Sequence, residues 1–295
     1  MKEILFTQRA DTPHWVGDGF PARSIFSYRD IAKDISPFLL MDYLGPVEFA
    51  PSKSNHRLGV GEHPHRGFET VSIIYSGELE HRDSSGGGGV IRAGDVQWMT
   101  AGSGLVHEEF HGKEFSEKGG ELHGVQIWVN LPKKFKMTKP KYQGIKKEDI
   151  PVVQLPNGAG NLRVIAGDYD GKKGPASTFT PINLWDIHLK AGRLVEFKVP
   201  VGQTAVVFVA HGLVAVNEAQ SIGDAEIAVL ERENDTFTLK ATQDAELMFL
   251  GGEIIDEPIL GYGPFVMNTS AEIAEAFQDY ENGKMGVLGK LEGSE

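Results

Sequence analysis

The sequence predicts an all-β protein of two tandem antiparallel β units followed by one short helix. Three observations carry this reading. Between Thr70 and Asn130, short runs rich in β-branched and aromatic residues recur at regular intervals between glycine-rich turns, which is the pattern of a sandwich or a barrel. The pattern resumes from Leu184 to Glu253. Helical periodicity appears only near the C-terminus, where Ile273, Ala276, Phe277 and Tyr280 form an apolar stripe.

Taken in order, the first unit is expected to hold strands at Thr70–Ile74, Leu79–His81, Val90–Arg92, Val96–Thr100 and Val125–Asn130, broken at Ser76-Gly77, Asp83 to Gly89 and Ala93-Gly94-Asp95. Gly86 to Gly89 is read as a flexible hairpin tip, because no Lys-Ser/Thr follows and no helix begins there, as a phosphate loop would require. Leu131 to Pro156 gathers four prolines with Lys133, Lys134, Lys136, Lys139, Lys141, Lys146 and Lys147. It reads as an extended, solvated connector. The second unit alternates at Leu194–Val199 and continues through Ala205–Ala210, Leu213–Val216, Ala225–Leu230, Thr236–Lys240 and Glu246–Leu250. Gly212 and Gly223-Asp224 echo Gly77 and Gly94-Asp95, a weak internal repeat. Thr269-x-x-Glu272 has capping-box spacing and Asn282-Gly283 is a stop signal, so a helix is expected from Ser270 to Tyr280, docked on the protein's own β unit. The expected division is 1–132, a connector at 133–183, and 184–295 including the helix.

The chain has 295 residues, with 29 basic against 41 acidic side chains and a formal charge of −12. That balance disfavours direct binding to nucleic acid or to an anionic membrane. The absence of cysteine excludes disulfides, thiolate metal sites and thiol nucleophiles. Lys2, Glu3, Arg9 and Asp11 surround only a short apolar run, which does not read as a secretory signal, and no apolar stretch reaches membrane-spanning length. A soluble, cytoplasmic protein is the expectation.

His63-Pro64-His65 and His107-Glu108-Glu109 carry the chemistry. Side chains alternate along a strand, so His63 and His65 share one face and His107 and Glu109 share another, each pair about 7 Å apart at Cα. Pro64 biases His63 toward extended backbone. Two such strands side by side offer three imidazoles and one carboxylate to one point. His56, His63, His65, His81, His107, His111 and His123 all fall in this stretch, whereas His188 and His211 of the second unit lack a ligand-spaced partner, so that unit is read as metal-free. The donor set suits zinc, iron(II), manganese, nickel or copper.

The wording of the motifs resembles the pirin family, whose members are bicupins. His63-Pro-His-Arg-Gly-Phe-Glu-Thr-Val71, Gly94-Asp-Val-Gln-Trp-Met-Thr-Ala-Gly102 and Gly104-Leu-Val-His-Glu-Glu109 are similar to pirin signatures, as are Phe38-Leu-Leu-Met-Asp-Tyr43, Val125-Gln-Ile-Trp-Val-Asn-Leu-Pro132 and Gly263-Pro-Phe-Val-Met-Asn-Thr269. The resemblance spans nearly the whole chain. It implies two antiparallel β-barrels with one metal, usually iron(II), in the first; manganese, nickel, copper, cobalt and zinc are the alternatives. A general cupin pattern would take its carboxylate ligand from Glu69, four residues after His65, whereas the pirin pattern uses Glu109. Glu109 is therefore the expected fourth ligand, with Glu69 orienting an imidazole or Arg66. Arg57 stands where a general cupin has glycine.

The activity implied is that of a quercetin 2,3-dioxygenase. A flavonol 3-hydroxyl would bind the metal, Glu109 would take its proton as general base, and O₂ would then open the ring with loss of CO. Phe68, Trp98 and Met99 are the expected wall residues. A different class is also implied, because similar pirins act as iron-linked transcription cofactors: a metal-dependent regulator that binds a protein partner without turnover. An oxalate-type bicupin would be expected to carry two equipped sites.

Overall fold

The computed structural model describes residues 1–52 and 56–289. It divides into two compact units, each built from discontinuous segments. One comprises Met1–Pro13, Arg23–Tyr43 and Ile145–Ile255, and the other His14–Ala22, Leu44–Gly144 and Asp256–Glu295. The second of these carries His63, His65, His107 and Glu109, and is called the site unit below.

The site unit has a seven-stranded sheet in the order Lys141–Ile145, Val96–Thr100, Phe68–Ser76, Gly120–Asn130, Phe38–Phe49, Phe20–Ser27, His14–Val16, the strands Phe38–Phe49 and Phe20–Ser27 contributing only their portions in this unit. Its partner is a four-stranded sheet in the order Gly59–His65, Leu105–His111, Glu78–Asp83, Gly88–Arg92. The other unit repeats the plan: seven strands in the order Ile4–Arg9, Glu226–Leu230, Thr204–His211, Ala245–Gly252, Ile182–Leu189, Gly160–Ala166, Val152–Gln154, and four in the order Leu194–Lys198, Thr236–Ala241, Val214–Val216, Gln220–Ile222. Every expected strand falls inside or against an observed one. The sheets are open sandwiches and do not close into the expected barrels.

Alternation explains the packing. In Leu194–Lys198 the residues Val195 and Phe197 are buried while Leu194, Glu196 and Lys198 are exposed. Val195 and Phe197 join Trp185, Phe237 and Phe249 in one apolar core drawn from both sheets of that unit. Trp185 and Phe249 stack at 4.6 Å, and Phe197 and Phe237 at 5.4 Å. These aromatic rings sit within an otherwise mainly aliphatic interior.

The termini correct the expected division. Ile4–Arg9 pairs antiparallel with Glu226–Leu230, so the first strand of the chain belongs to the unit formed mainly by its second half. Conversely, the helix Ser270–Glu281 belongs to the site unit, burying Ile273 and Ala276 against Val106, Phe265, Met267 and Met285. The segment 133–183 is not a free connector either. Lys141–Ile145 is an edge strand of the site unit, while Val152–Gln154 and Gly160–Ala166 close an edge of the other sheet. Pairing across hundreds of residues is chosen by open sheet edges, which local pattern does not reveal. No helix among the described residues is long and apolar enough to cross a membrane.

Candidate metal centre

Three adjacent strands of the four-stranded sheet build the site. Alternation places His63 and His65 on one face of Gly59–His65, His107 and Glu109 on one face of Leu105–His111, and His81 and Asp83 on one face of Glu78–Asp83. Antiparallel register brings these faces together: His107 pairs with His63 on one side and with Asp83 on the other, and Glu109 pairs with His81. The pairing with Gly59–His65 shifts between His107 and Glu109, where the step from Val60 to His63 carries one residue more than the step it faces, so the bulge lies in the strand that bears His63.

The ligand atoms of His63, His65 and His107 lie within 4.8 Å of one another. His63 Nδ1 lies 2.8 Å from the Gly61 carbonyl and His65 Nδ1 lies 3.3 Å from that of Pro264. A carbonyl only accepts, so each Nδ1 carries the proton and each Nε2 keeps a lone pair. His107 Nε2 is buried and has no hydrogen-bond partner. Burial first, and then the imidazole of His63, hold His65 and His107 well below the usual imidazole range, so both are neutral near pH 7. Neutral imidazoles with free ring nitrogens are what a divalent metal requires, and an unpartnered buried nitrogen is costly without one. The residues present fit a metal ion.

Glu109 joins this group through His107. His81, His107 and Glu109 form a second cluster whose ligand atoms also lie within 4.8 Å. The Glu109 carboxylate accepts from Gln97 Nε2 at 3.1 Å on one oxygen and from Gln126 Nε2 at 3.1 Å on the other. Gln97 is oriented by the Tyr142 hydroxyl, 3.4 Å from its Oε1. Burial, with Glu109 and Asp83 nearby, pushes the Tyr142 phenol up to about 12, which keeps it a donor. Three of the four expected ligands thus form one group, while Glu109 shares with them only His107 and has His81 Nδ1 3.9 Å from its Oε1. Of the other histidines in the stretch, His56 bonds Asp18, His111 bonds the Gly19 carbonyl and His123 packs on Tyr75.

The expected neighbours have varied places. Phe68 packs edge-on to His65 at 5.1 Å and stacks on Trp128 at 4.3 Å. Trp128, half-buried, also meets His65 at 5.4 Å, and its indole N–H lacks a partner. Glu69 accepts from Thr100 Oγ1 at 2.7 Å. Arg66, by contrast, donates to the Ser103 carbonyl and to Asp279 on the C-terminal helix at 2.8 Å, so the expected Glu69–Arg66 partnership is replaced by these bonds. Trp98 is buried, and Met99 lies in a small apolar cluster with Ala101, Leu105 and Tyr142.

The sequence assigns no role to Gln97, Gln126, Trp128, Tyr142 or Asp83, and none to His81 beyond its place in the histidine-rich stretch. His81-Arg82-Asp83 has the same alternating spacing as the two motifs that were singled out, so that pair was there to be found. His81 Nε2 faces Asp83 Oδ2 at 3.3 Å, and its Nδ1 lies 3.2 Å from His107 Nδ1. Burial alone would raise the Asp83 carboxyl, but hydrogen bonds from His81, Ser85 and Gly87 hold it below the usual range.

Two sandwiches, one of them bearing a histidine-carboxylate cluster on adjacent strands, define a bicupin with a candidate metal site. The chain belongs to the pirin family: residues 19–129 match Pirin and residues 184–286 match the Pirin C-terminal cupin domain. A Pseudomonas aeruginosa protein named provisionally as a quercetin 2,3-dioxygenase is 51% identical over 96% of this chain and 98% of its own. The crystal structure of a quercetin 2,3-dioxygenase from Acinetobacter baumannii is 50% identical, covers 98% of this chain and 100% of its own, and superposes with a TM-score of 0.95. The Escherichia coli bacterial pirin YhhW, solved in complex with nickel(II), shares the fold with a TM-score of 0.65 at 19% identity, covering 85% of this chain and 99% of its own.

Proposed function

We propose that this pirin is a metal-dependent dioxygenase that cleaves flavonols such as quercetin, with His63, His65, His107 and Glu109 holding one divalent metal, iron(II) in the first place. The observation that carries the reading is the meeting of three imidazoles, fixed with free ring nitrogens, beside a carboxylate clamped by two glutamines. The names of the Pseudomonas and Acinetobacter relatives support flavonol and O₂ as substrates. Nickel in the E. coli pirin keeps the metal's identity open among iron, manganese, nickel, copper, cobalt and zinc.

The bound metal would supply Lewis acidity toward the flavonol 3-hydroxyl. The protein's own part is to position and to move a proton. Glu109 would accept the hydroxyl proton on a carboxylate oxygen, a role supported by Gln97 and Gln126, which donate to the group and fix its plane. His63, Gln126 and Trp128 keep part of their surface, so substrate would enter on their side. Trp128, stacked on Phe68, would meet the flat rings of a flavonol, and its indole N–H can donate to a substrate oxygen.

The test is aerobic turnover. Protein reconstituted with each metal in turn should bleach quercetin with release of CO, while a flavone lacking the 3-hydroxyl should survive. Anaerobic protein should bind quercetin and return it unchanged. Stoichiometric binding with no aerobic turnover in any metal form would overturn the enzyme and favour a metal-linked regulatory protein.

A further inference from the structure

Behind His107 runs a line of buried polar groups, two of which the proposed chemistry does not use. Asp83, His81 and His107 follow one another across adjacent strands, with Asp83 Oδ2 to His81 Nε2 at 3.3 Å and His81 Nδ1 to His107 Nδ1 at 3.2 Å. The side chains of Asp83 and His81 have no exposed surface. Tyr142 lies flat on the His81 ring at 5.2 Å, so the imidazole is also fixed in its plane.

We infer that Asp83 and His81 are positioning residues that fix the tautomer of His107, so that its Nε2 is always the lone pair offered to the metal. With a neutral His81, the direction of every bond in the line follows from its first member. A carboxylate accepts only, so His81 donates from Nε2 and holds its lone pair on Nδ1, which also lies 3.9 Å from Glu109 Oε1. That lone pair faces His107 Nδ1, which must carry the proton, and His107 Nε2 is left without one. This nitrogen is the buried atom with no hydrogen-bond partner. His63 and His65 reach the same tautomer through backbone carbonyls. At His107 Nδ1 the Asp83–His81 pair takes the place of such a carbonyl, a carboxylate–imidazole support of the kind that tunes metal ligands.

Asp83 also has a second task, and it uses a different oxygen. Oδ1 accepts from Ser85 N at 2.8 Å, Ser85 Oγ at 2.6 Å and Gly87 N at 3.0 Å, which hold the turn that follows. Asp83→Asn therefore separates the two roles. The three donors pin the amide oxygen at Oδ1, and the amide nitrogen then points at His81 Nε2. His81 must accept there and carry its proton on Nδ1, which forces the His107 proton onto Nε2, where it blocks a metal.

The inference rests on His107 being a metal ligand, and two readouts keep the two claims apart. In metal-free protein, imidazole ¹⁵N shifts should report His107 protonated on Nδ1 in the native sequence and on Nε2 in Asp83→Asn. In chelator competition with Co(II), Asp83→Asn should bind about 10- to 100-fold more weakly. His81→Leu should lose as much, whereas His81→Gln, which can accept from His107 and donate to Asp83, should recover most of the affinity. This pair also decides the matter if Asp83→Asn does not fold. A His107 protonated on Nε2 in the native protein, or equal Co(II) affinity in native protein, Asp83→Asn and His81→Leu, would overturn the inference. Native protein that binds no Co(II) would overturn the metal site itself, and the tautomer shifts would still decide the inference.

Discussion

Glu69 is the residue whose burial has the clearest thermodynamic consequence. It is 1% exposed, and burial pushes its carboxyl up to about 7, against the opposing hydrogen bond of Thr100. A folded-state pKa above the unfolded one means that the folded state binds more protons between the two. The stabilisation is therefore complete below about 4.5 and is lost as pH rises through about 7. Glu69→Gln keeps the acceptor for Thr100 and removes the titration. Metal-free Glu69→Gln should gain on the native protein by up to about 3 kcal/mol between pH 5 and pH 8 in urea unfolding; equal pH slopes would show that Glu69 is not held protonated. Glu109 is expected to behave differently, because its loss touches the chemistry. Glu109→Gln should lower the dioxygenase rate by about 10² or more while metal content falls less. Normal turnover in Glu109→Gln together with a dead Glu69→Gln would transfer the role to Glu69. His63, His65, His107 and Glu109 were legible because strand alternation has a period of two and their spacings match it. The Gln97, Gln126 and Trp128 contributions were not, since glutamine and tryptophan in a strand carry no spacing signal that separates a clamp from an ordinary sheet face.

At the scale of elements, the C-terminal helix was the most legible, since its signals are local. Thr269 Oγ1 accepts from Glu272 N at 3.3 Å and the Glu272 carboxylate accepts from Asn268 N and Thr269 N, a complete capping box. Thr269→Ala should cost about 1 kcal/mol of stability, measured by chemical denaturation; no loss would show that the helix start is held by the apolar face alone. The glycine run Gly86 to Gly89 was read as a flexible tip, and half of it is not. Gly88 and Gly89 lie in a strand paired with Arg82 and His81, and a Cβ on Gly87 would come within 2.4 Å of Asp83 Oδ2. The glycines let the hairpin close tightly over Asp83. The lysine-rich segment held a similar surprise. Lys136 is buried and donates to the carbonyls of Gly67 and Val266 and to Asn130 Oδ1 at 2.7 to 2.9 Å, satisfying all three ammonium donors. Its neighbours in the run are mostly exposed, and nothing in a cluster of lysines marks the one that folds inward.

For the whole molecule, the count of two β units and their all-β character followed from periodicity, but the path of the chain through them did not. Ile4–Arg9 was not read as a strand at all, and its partner lies more than two hundred residues away. The two units share a seven-plus-four strand plan, and both bury apolar side chains, but among the described residues only the site unit adds a cluster of imidazoles with a carboxylate. That difference is why one metal per chain, in the site unit, is proposed. The most direct test is the metal content of protein purified without chelators and reconstituted with iron(II), set beside His63→Ala and His107→Ala. The account predicts one tightly held ion per chain, largely lost in both variants while the unit made mainly of Ile145–Ile255 stays folded. Two ions per chain, or full retention in both variants, would contradict it.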